Sequence, residues 1–331
     1  MTNTRTPMEI LVTGVTGRIG ANLAAALVRE GHRVRGLVWH KDPRVEKLES
    51  LDIELVYGTL TNRTDVIKAV KGVKAIYHLG AAFQGGGPFT SNDYFETTVR
   101  GTFNVLEAAK THSVQHVLFA GTDSVYEKYV SEGTSGPIKE DHNARLPRGW
   151  YGLSKSIGEE MCISYSRSEW VPSTVLRFCN TAGAGEIIDY GLFYLSKQLG
   201  RPELKALWRG KESVVLLRDQ NGRAYKKHMG DVRDIVHGCL CALDKPAAIG
   251  ETFQLGGPRA FTTDEVAPYL SEALKIPYID VRVSGKPTFY EYDLTKARTL
   301  IGFDPQYDIF RMIDDALAFR RGELKDILAT E

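Results

Sequence analysis

Cysteine is scarce. Four thiols, Cys162, Cys179, Cys239 and Cys241, serve 331 residues. None has the spacing of a metal site, and the Cys-x-Cys pair falls in an apolar helical pattern, where a thiol is usually a small buried side chain. Neither a disulfide framework nor a metal centre is expected. Charge of one sign is lacking too: 42 basic and 41 acidic residues leave a formal net charge of +1. That gives no electrostatic case for nucleic acid or an anionic membrane as partner. Apolar runs stop at strand length, so no membrane span is expected. The first residues, MTNTRTPM, lack the apolar core of a signal peptide. The expected location is the cytoplasm. A hydrophobic content of 43% with 25% charged residues excludes a disordered chain, a coiled coil and a collagen-like repeat.

Glycine is plentiful, at 32 residues, and many stand where apolar runs give way to helical patterns. Ile10–Thr13 is an apolar run ending in glycine, and Ile19, Leu23, Ala26 and Leu27 follow at helical spacing. Strands are expected at Val34–Trp39, Ile53–Tyr57, Ala75–Leu79, His116–Ala120 and Thr174–Phe178. Helices are expected near Asp65–Val70, Asp93–Thr111 and Gly152–Ser168. This alternation predicts right-handed βαβ crossovers and a buried parallel sheet, an α/β doubly wound architecture of Rossmann type. Beyond Thr181 the rhythm changes. Strands at Val214–Leu217 and Phe253–Leu255 and helices at Asp231–Leu243, Thr262–Leu274 and Ile309–Arg321 are separated by longer polar loops. The expected division is a nucleotide-binding domain over 1–180, a smaller substrate lobe over 181–331, and a segment around 231–257 returning to the first domain.

Residues 13–20 read Thr-Gly-Val-Thr-Gly-Arg-Ile-Gly. Gly14 allows a tight turn, Gly17 lets backbone approach a pyrophosphate, and Gly20 lets the helix pack close to the sheet. The helix N-terminus then offers free N–H groups and a favourable dipole to the phosphates. An NAD-selective site usually has an acid about 18 residues further on, at the end of the second strand. Val38 and Trp39 stand there. Arg18, His40, Lys41 and Arg44 are nearby, so the pattern favours NADP and leaves NAD open.

Tyr151-Gly-Leu-Ser-Lys155 puts a phenol and an ammonium on one face at a helix start. An ammonium beside a phenol stabilises the phenolate. The phenolate can then take a proton from an alcohol while hydride leaves for nicotinamide.

With Thr13–Gly20, His78-Leu-Gly-Ala-Ala82, Gly101-Thr-Phe-Asn104, Thr122-Asp-Ser-Val-Tyr126, Tyr151–Lys155, Arg177-Phe-Cys-Asn180 and Asp293-Leu-Thr-Lys-Ala297 in place, the chain resembles the extended short-chain dehydrogenase/reductase family. The likeness is to its NAD-dependent epimerase/dehydratase branch and covers nearly the whole chain. The resemblance implies Tyr151 as general acid/base, Lys155 tuning it and holding the nicotinamide ribose, and Thr122 hydrogen-bonding the reacting oxygen. It implies cofactor contacts from Gly14, Thr16, Gly17, Arg18, Ile19 and Gly20. Further contacts are expected from Trp39, His40 and Lys41, from Thr59 and Leu60, from Leu79, Gly80 and Ala81, and from Thr98. Phe83, Asp123, Ser124, Asn180, Lys227 and His228 are candidate substrate contacts. A homodimer is implied, paired through the helix from Tyr151 and the helix near Asp93–Thr111, with Met161, Ile163 and Tyr165 as compatible apolar positions.

Departures from the family pattern are informative. The family's Gly-Asp-Leu after the third strand is Gly58-Thr59-Leu60 here, and its Asn three residues before Gly101 is Thr98. Ser124 replaces the Glu of the dehydratases, so the pair needed for water elimination is incomplete. Lys226-Lys227-His228 stands where an Arg for the substrate diphosphate is usual, and a second such Arg falls on Val283, beside Arg282. These changes favour a small sugar, sugar acid or other secondary alcohol over a UDP-sugar, with Arg218 a further possible contact. The expected activity is NAD(P)-dependent hydride transfer at a secondary alcohol or ketone of a polar, sugar-like substrate. A sugar epimerase with retained cofactor and a non-catalytic cofactor-sensing protein stand as alternatives. Loops at Phe83–Phe89 and Glu127–Trp150 are positioned to cover the site, and Trp150 is placed to wall it.

Overall fold

The computed structural model describes residues 6–83, 87–142, 146–324 and 326–330. Six strands come first along the chain: β1 Glu9–Thr13, β2 Arg33–Val38, β3 Ile53–Tyr57, β4 Ala75–His78, β5 His116–Thr122 and β6 Ser173–Phe178. The remaining strands are β7 Asn180–Ala182, β8 Val214–Arg218, β9 Lys226–Lys227, β10 Met229–Asp231, β11 Thr252–Leu255, β12 Phe261–Thr262 and β13 Tyr278–Arg282. Seven of them form one sheet in the order β11-β6-β5-β4-β1-β2-β3, and every pairing in it is parallel. Strands buried on both faces need apolar side chains in both directions, and Leu11, Val12, Ile76, Tyr77, Val117 and Leu118 supply them at 2% exposure or less.

The helices are α1 Arg18–Arg29, α2 Arg63–Val70, α3 Ser91–Asp93, α4 Gly101–Thr111, α5 Gly149–Arg167, α6 Pro202–Lys205, α7 Val232–Ala242, α8 Thr263–Leu274, α9 Thr295–Ile301 and α10 Ile309–Arg320. Helices α1, α7 and α9 cover one face of the sheet, and α2, α4 and α5 cover the other. The helix expected at Asp93–Thr111 starts earlier. A capping box between Thr90 and Asp93 sets that start, and Tyr94–Arg100 is wound more loosely, as a π-helical stretch. Strand order reverses between β1 and β4, and ligands of open α/β sheets bind in the crevice at such a point.

The late strand β11 pairs with β6 in register Thr252↔Val175 to Leu255↔Phe178. The strand expected at Val214–Leu217 is β8, and short strands that periodicity missed build the rest with it. β7 pairs with β10, β8 with β13, and β9 with β12. Two apolar clusters, around Phe193, Leu216 and Ile313 and around Leu217, Tyr225 and Val283, fill this part. No helix among the described residues is long and apolar enough to cross a membrane.

Candidate active site

The glycine loop leaves β1 and opens α1. Gly14 has φ +70°, and a Cβ there would lie 2.8 Å from the Gly80 nitrogen. A Cβ on Gly20 would lie 2.2 Å from the Gly14 carbonyl oxygen. No side chain caps the N-terminus of α1, so its first N–H groups remain available to an anion. These features fit a dinucleotide diphosphate. Ile19 leans into the core beneath the loop, and Leu79, Gly80 and Ala81 leave β4 beside it. The His78 ring fixes that proximity. Thr13 Oγ1 lies 2.8 Å from its Nδ1 and Thr102 Oγ1 lies 3.0 Å from its Nε2. Thr102 donates to the Thr98 carbonyl, so its oxygen accepts from the His78 Nε2–H. Burial, helped by the nearby Lys155 charge, pushes the His78 pKa down to about 3.

Around the glycine loop and the turn after β2, several cations picked out by sequence prove to be occupied. Arg18 donates from Nη2 to Glu186 at 2.9 Å and from Nη1 to the Thr181 carbonyl at 3.1 Å. Arg44 forks onto Asp42, with two contacts of 2.8 Å. Asp42 also accepts from the Thr16 hydroxyl at 2.6 Å. Burial opposes its ionisation, but the hydrogen bonds from Arg44 and Thr16 prevail and hold its pKa at about 2. Sequence reasoning looked for an acid at Val38 or Trp39; the acid tied to the glycine loop is Asp42, three residues beyond Trp39. Trp39, His40 and Lys41 are exposed, with His40 stacked on Tyr57 at 5.7 Å. Leu60 is buried beneath Gly80 and Gly101. Thr59 receives Asp65 on its backbone N–H at 3.0 Å, so the carboxylate of this corner comes from α2. Thr98 accepts the Ala82 N–H at 3.2 Å.

The catalytic candidates meet where α5 starts. A Cβ on Gly152 would lie 3.0 Å from the Ser124 carbonyl oxygen, and one on Gly158 would strike the Phe119 ring at 2.5 Å. Their absence seats α5 directly on β5. Thr122 ends β5 and caps the turn Asp123–Val125 by accepting the Ser124 N–H at 3.2 Å. Tyr151 stands in the first turn of α5, which packs on that turn, and the Thr122 side chain favours its phenolate. Burial, with the Asp123 charge adding to it, raises the Tyr151 pKa to about 12 against the relief from Thr122. Lys155 is buried, and its Nζ donates to the Ala120 carbonyl at 2.8 Å. Burial lowers its pKa to about 8, against the pull of Glu159. The sequence expectation of an ammonium acting on the phenol is therefore incomplete here: Lys155 rests on backbone, and desolvation dominates the phenol. Phe83 packs its ring edge-to-face on Tyr151 at 5.6 Å. Trp150 is 50% exposed beside it. Gln84, Gly85 and Gly86 of one expected covering loop, and Asn143, Ala144 and Arg145 of the other, lie outside the described residues.

Next to Thr122 lies a polar nest that sequence reasoning saw only in part. Asp123 is buried in an ion pair with Lys128 at 2.5 Å, and the Tyr292 hydroxyl donates to it at 2.7 Å. It is thus a network member rather than a free substrate contact. Lys128 stands over the rings of Tyr290 and Tyr292 at 5.0 and 5.8 Å. Lys227 is 5% exposed and donates to the Tyr190 hydroxyl. His228 is used up: Nε2 meets the Gly257 carbonyl at 2.9 Å and Nδ1 accepts the Tyr292 N–H at 3.0 Å. That fixes a neutral ring, and burial lowers its pKa. Asn180 is exposed at the start of β7, and Ser124 is half-buried. Arg218 is held away by Asp280 at 2.9 Å. Val283 is buried among apolar side chains, and Arg282 is exposed. Tyr290 and Tyr292 were legible as an alternation, Phe289-Tyr-Glu-Tyr292, that aims both phenols to one side. Lys128 and Tyr190 carried no such signal. Among the described residues no cluster of His, Cys, Asp or Glu could hold a metal ion.

Residues 10–256 match the NAD dependent epimerase/dehydratase family. Among curated relatives, the uncharacterized UDP-glucose epimerase YtcB of Bacillus subtilis is 28% identical, over 94% of this chain and 98% of that one. UDP-glucuronate 4-epimerase 1 of Arabidopsis thaliana is 26% identical, over 91% of this chain and 74% of that one. A short-chain dehydrogenase/reductase superfamily protein of Agrobacterium tumefaciens, solved with bound NAD, is 32% identical. It superposes with a TM-score of 0.84 over 95% of this chain and 97% of that one. UDP-glucuronic acid 4-epimerase from Bacillus cereus, at 22% identity and a TM-score of 0.74, shares the fold. The chain belongs to the NAD dependent epimerase/dehydratase family and is an enzyme of the extended short-chain dehydrogenase/reductase type.

Proposed function

We propose that this enzyme moves a hydride between a nicotinamide dinucleotide and a secondary alcohol carbon of a small, polar, sugar-like substrate. The observation that carries the reading is the placement of Thr122 at the end of β5 beside the start of α5, which carries Tyr151 and Lys155, with the Lys155 Nζ on the Ala120 carbonyl of β5. The dinucleotide, when bound, supplies the hydride acceptor or donor. Thr122 holds the substrate oxygen, and Tyr151 takes or returns the proton there. Lys155, cationic below about pH 8 and held on the Ala120 carbonyl one turn from Tyr151, is the residue available to hold the nicotinamide ribose. A substrate without a nucleotide is favoured because Val283 is buried in an apolar cluster and Arg218 is paired with Asp280. NAD is favoured over the NADP suggested by sequence: Asp42 stays ionised against the loop, Arg18 and Arg44 are already paired, and the Agrobacterium relative was solved with NAD.

A second reading, epimerisation through a ketone with retained cofactor, is favoured by the UDP-sugar epimerases among the relatives. One experiment separates the two. Purified enzyme is given NAD and a panel of sugars and sugar acids while absorbance of reduced nicotinamide is followed. Net reduction of added NAD is the expected result. Tightly held cofactor, no absorbance change and an epimerised product would replace this reading with the second. The subunits are proposed to pair through α4 and α5. Tyr165, named for that face from sequence, is buried in the core, and Met161 and Ile163 are half-buried. Phe103 on α4, Trp150, Leu153 and Ile157 on α5, and Phe95 in the stretch before α4 are large apolar residues exposed there, each at 36% or more. Light scattering at micromolar concentration is expected to give a dimer; a monomer would overturn the pairing.

A further inference from the structure

The nest beside Thr122 carries an unbalanced charge. Lys128 is matched by Asp123 at 2.5 Å. His228 is neutral, its two ring nitrogens taken by a carbonyl and a backbone N–H. The phenol of Tyr292 is spent on Asp123. Lys227 remains, buried, with a neutral phenol, Tyr190, as its hydrogen-bond partner. Besides the phenol of Tyr129, the group of opposite charge that acts on it is the Asp123 carboxylate, already claimed by Lys128. A buried ammonium without a counter-charge is costly, and nests of this kind persist where a ligand completes them. Asp123 links the two regions, acting on Tyr151 on one side and on Lys227 and Tyr190 on the other.

We propose that Lys227, with Tyr190, receives a carboxylate of the substrate, so that the compound acted on is a sugar acid. The inference rests on the proposed hydride-transfer site and names its substrate class. A single surplus positive charge matches a monoanion. A phosphate ester carries nearly two charges near neutrality and is better met by forked guanidinium groups or backbone N–H clusters. Ammonium and phenol donors suit a carboxylate oxygen pair.

The test is calorimetric and needs no turnover, so it can fail or succeed independently of hydride transfer. NAD-loaded enzyme is titrated with gluconate, galactonate, glucuronate and galacturonate, with glucose and galactose as neutral counterparts, and with glucose 6-phosphate and UDP-glucuronate. At least one free acid is expected to bind about 10-fold or more tighter than its neutral sugar. Lys227→Met is expected to weaken that acid by about 10–100-fold, the size of a lost charged hydrogen bond, with NAD affinity unchanged. Tyr190→Phe, which keeps the ring, is expected to cost about 3–10-fold and carries the test if Lys227→Met does not fold. The proposal is overturned by tighter binding of the neutral sugars, the phosphate ester or the UDP-sugar. Binding of none of the acids, or an acid preference that survives in both variants, overturns it equally.

Discussion

The two ends of the cleft handle positive charge differently. At the dinucleotide end each arginine near the loop is matched by an acid of the same chain, Arg18 by Glu186 and Arg44 by Asp42, and both guanidinium groups are partly exposed. At the substrate end the charges are buried, and Lys128, Lys227 and Asp123 do not sum to zero. Exposed pairs are screened and weak, so the dinucleotide end depends chiefly on backbone geometry. Buried charges are strong and selective, so the substrate end depends on which side chain neutralises which. Proximity of cations in sequence therefore says little at the first end and much at the second.

The largest effect expected is on chemistry rather than on either end. Tyr151→Phe should lower kcat by about 10²–10⁴-fold, the usual contribution of a positioned acid/base, with NAD affinity nearly unchanged by calorimetry. Parallel losses of turnover and cofactor binding would mean that Tyr151 belongs to the dinucleotide end instead. Asp123→Asn comes next. It leaves buried cations uncompensated and should destabilise the fold by about 3–5 kcal/mol in denaturant titrations. Adding Lys128→Met should restore part of that loss. If Asp123→Asn melts like the parent, the substrate end is as weakly coupled as the other.

Asp42→Asn frees Arg44 and removes a negative charge at the loop. NADP should then bind about tenfold tighter relative to NAD, and the gain should shrink as salt rises. The same residue has a pH signature. Its folded pKa, about 2, lies below the usual value near ~4. Its stabilising contribution is therefore complete above about pH 4 and lost as pH falls through 2. Melting curves of parent and Asp42→Asn should converge over that window. The smallest effect is expected from Arg18→Ala, a change of less than about threefold in the NADP-to-NAD ratio, because its guanidinium is already engaged. A larger drop would show that Glu186 yields Arg18 to a ligand phosphate.

Much of this could be read from the chain. Gly14, Gly17 and Gly20 announce the loop because backbone demands leave no other residue type, and Tyr151 and Lys155 share a face by helix geometry alone. The sheet followed from apolar alternation with helical stretches. Asp42 escaped because its contact with Thr16 depends on how the chain turns after β2, which no spacing rule encodes. Lys227 was noticed, but its burial and lack of a carboxylate partner depend on β9 and on tyrosines from distant segments. His228 looked like a ligand group beside it, and only the Gly257 carbonyl and the Tyr292 N–H show it to be a staple.

The late strand of the main sheet has a bearing on synthesis. β6 is buried on both sides, and the strand that covers its outer edge begins at Thr252. At ribosomal speeds of about 5–20 residues per second, that edge stays unpaired for roughly 4–15 s after it is made. An uncovered edge of this kind is a template for pairing with another chain. Nascent chains stalled or truncated before Thr252 should therefore aggregate through β6, and yield on expression should respond to chaperones acting in that interval.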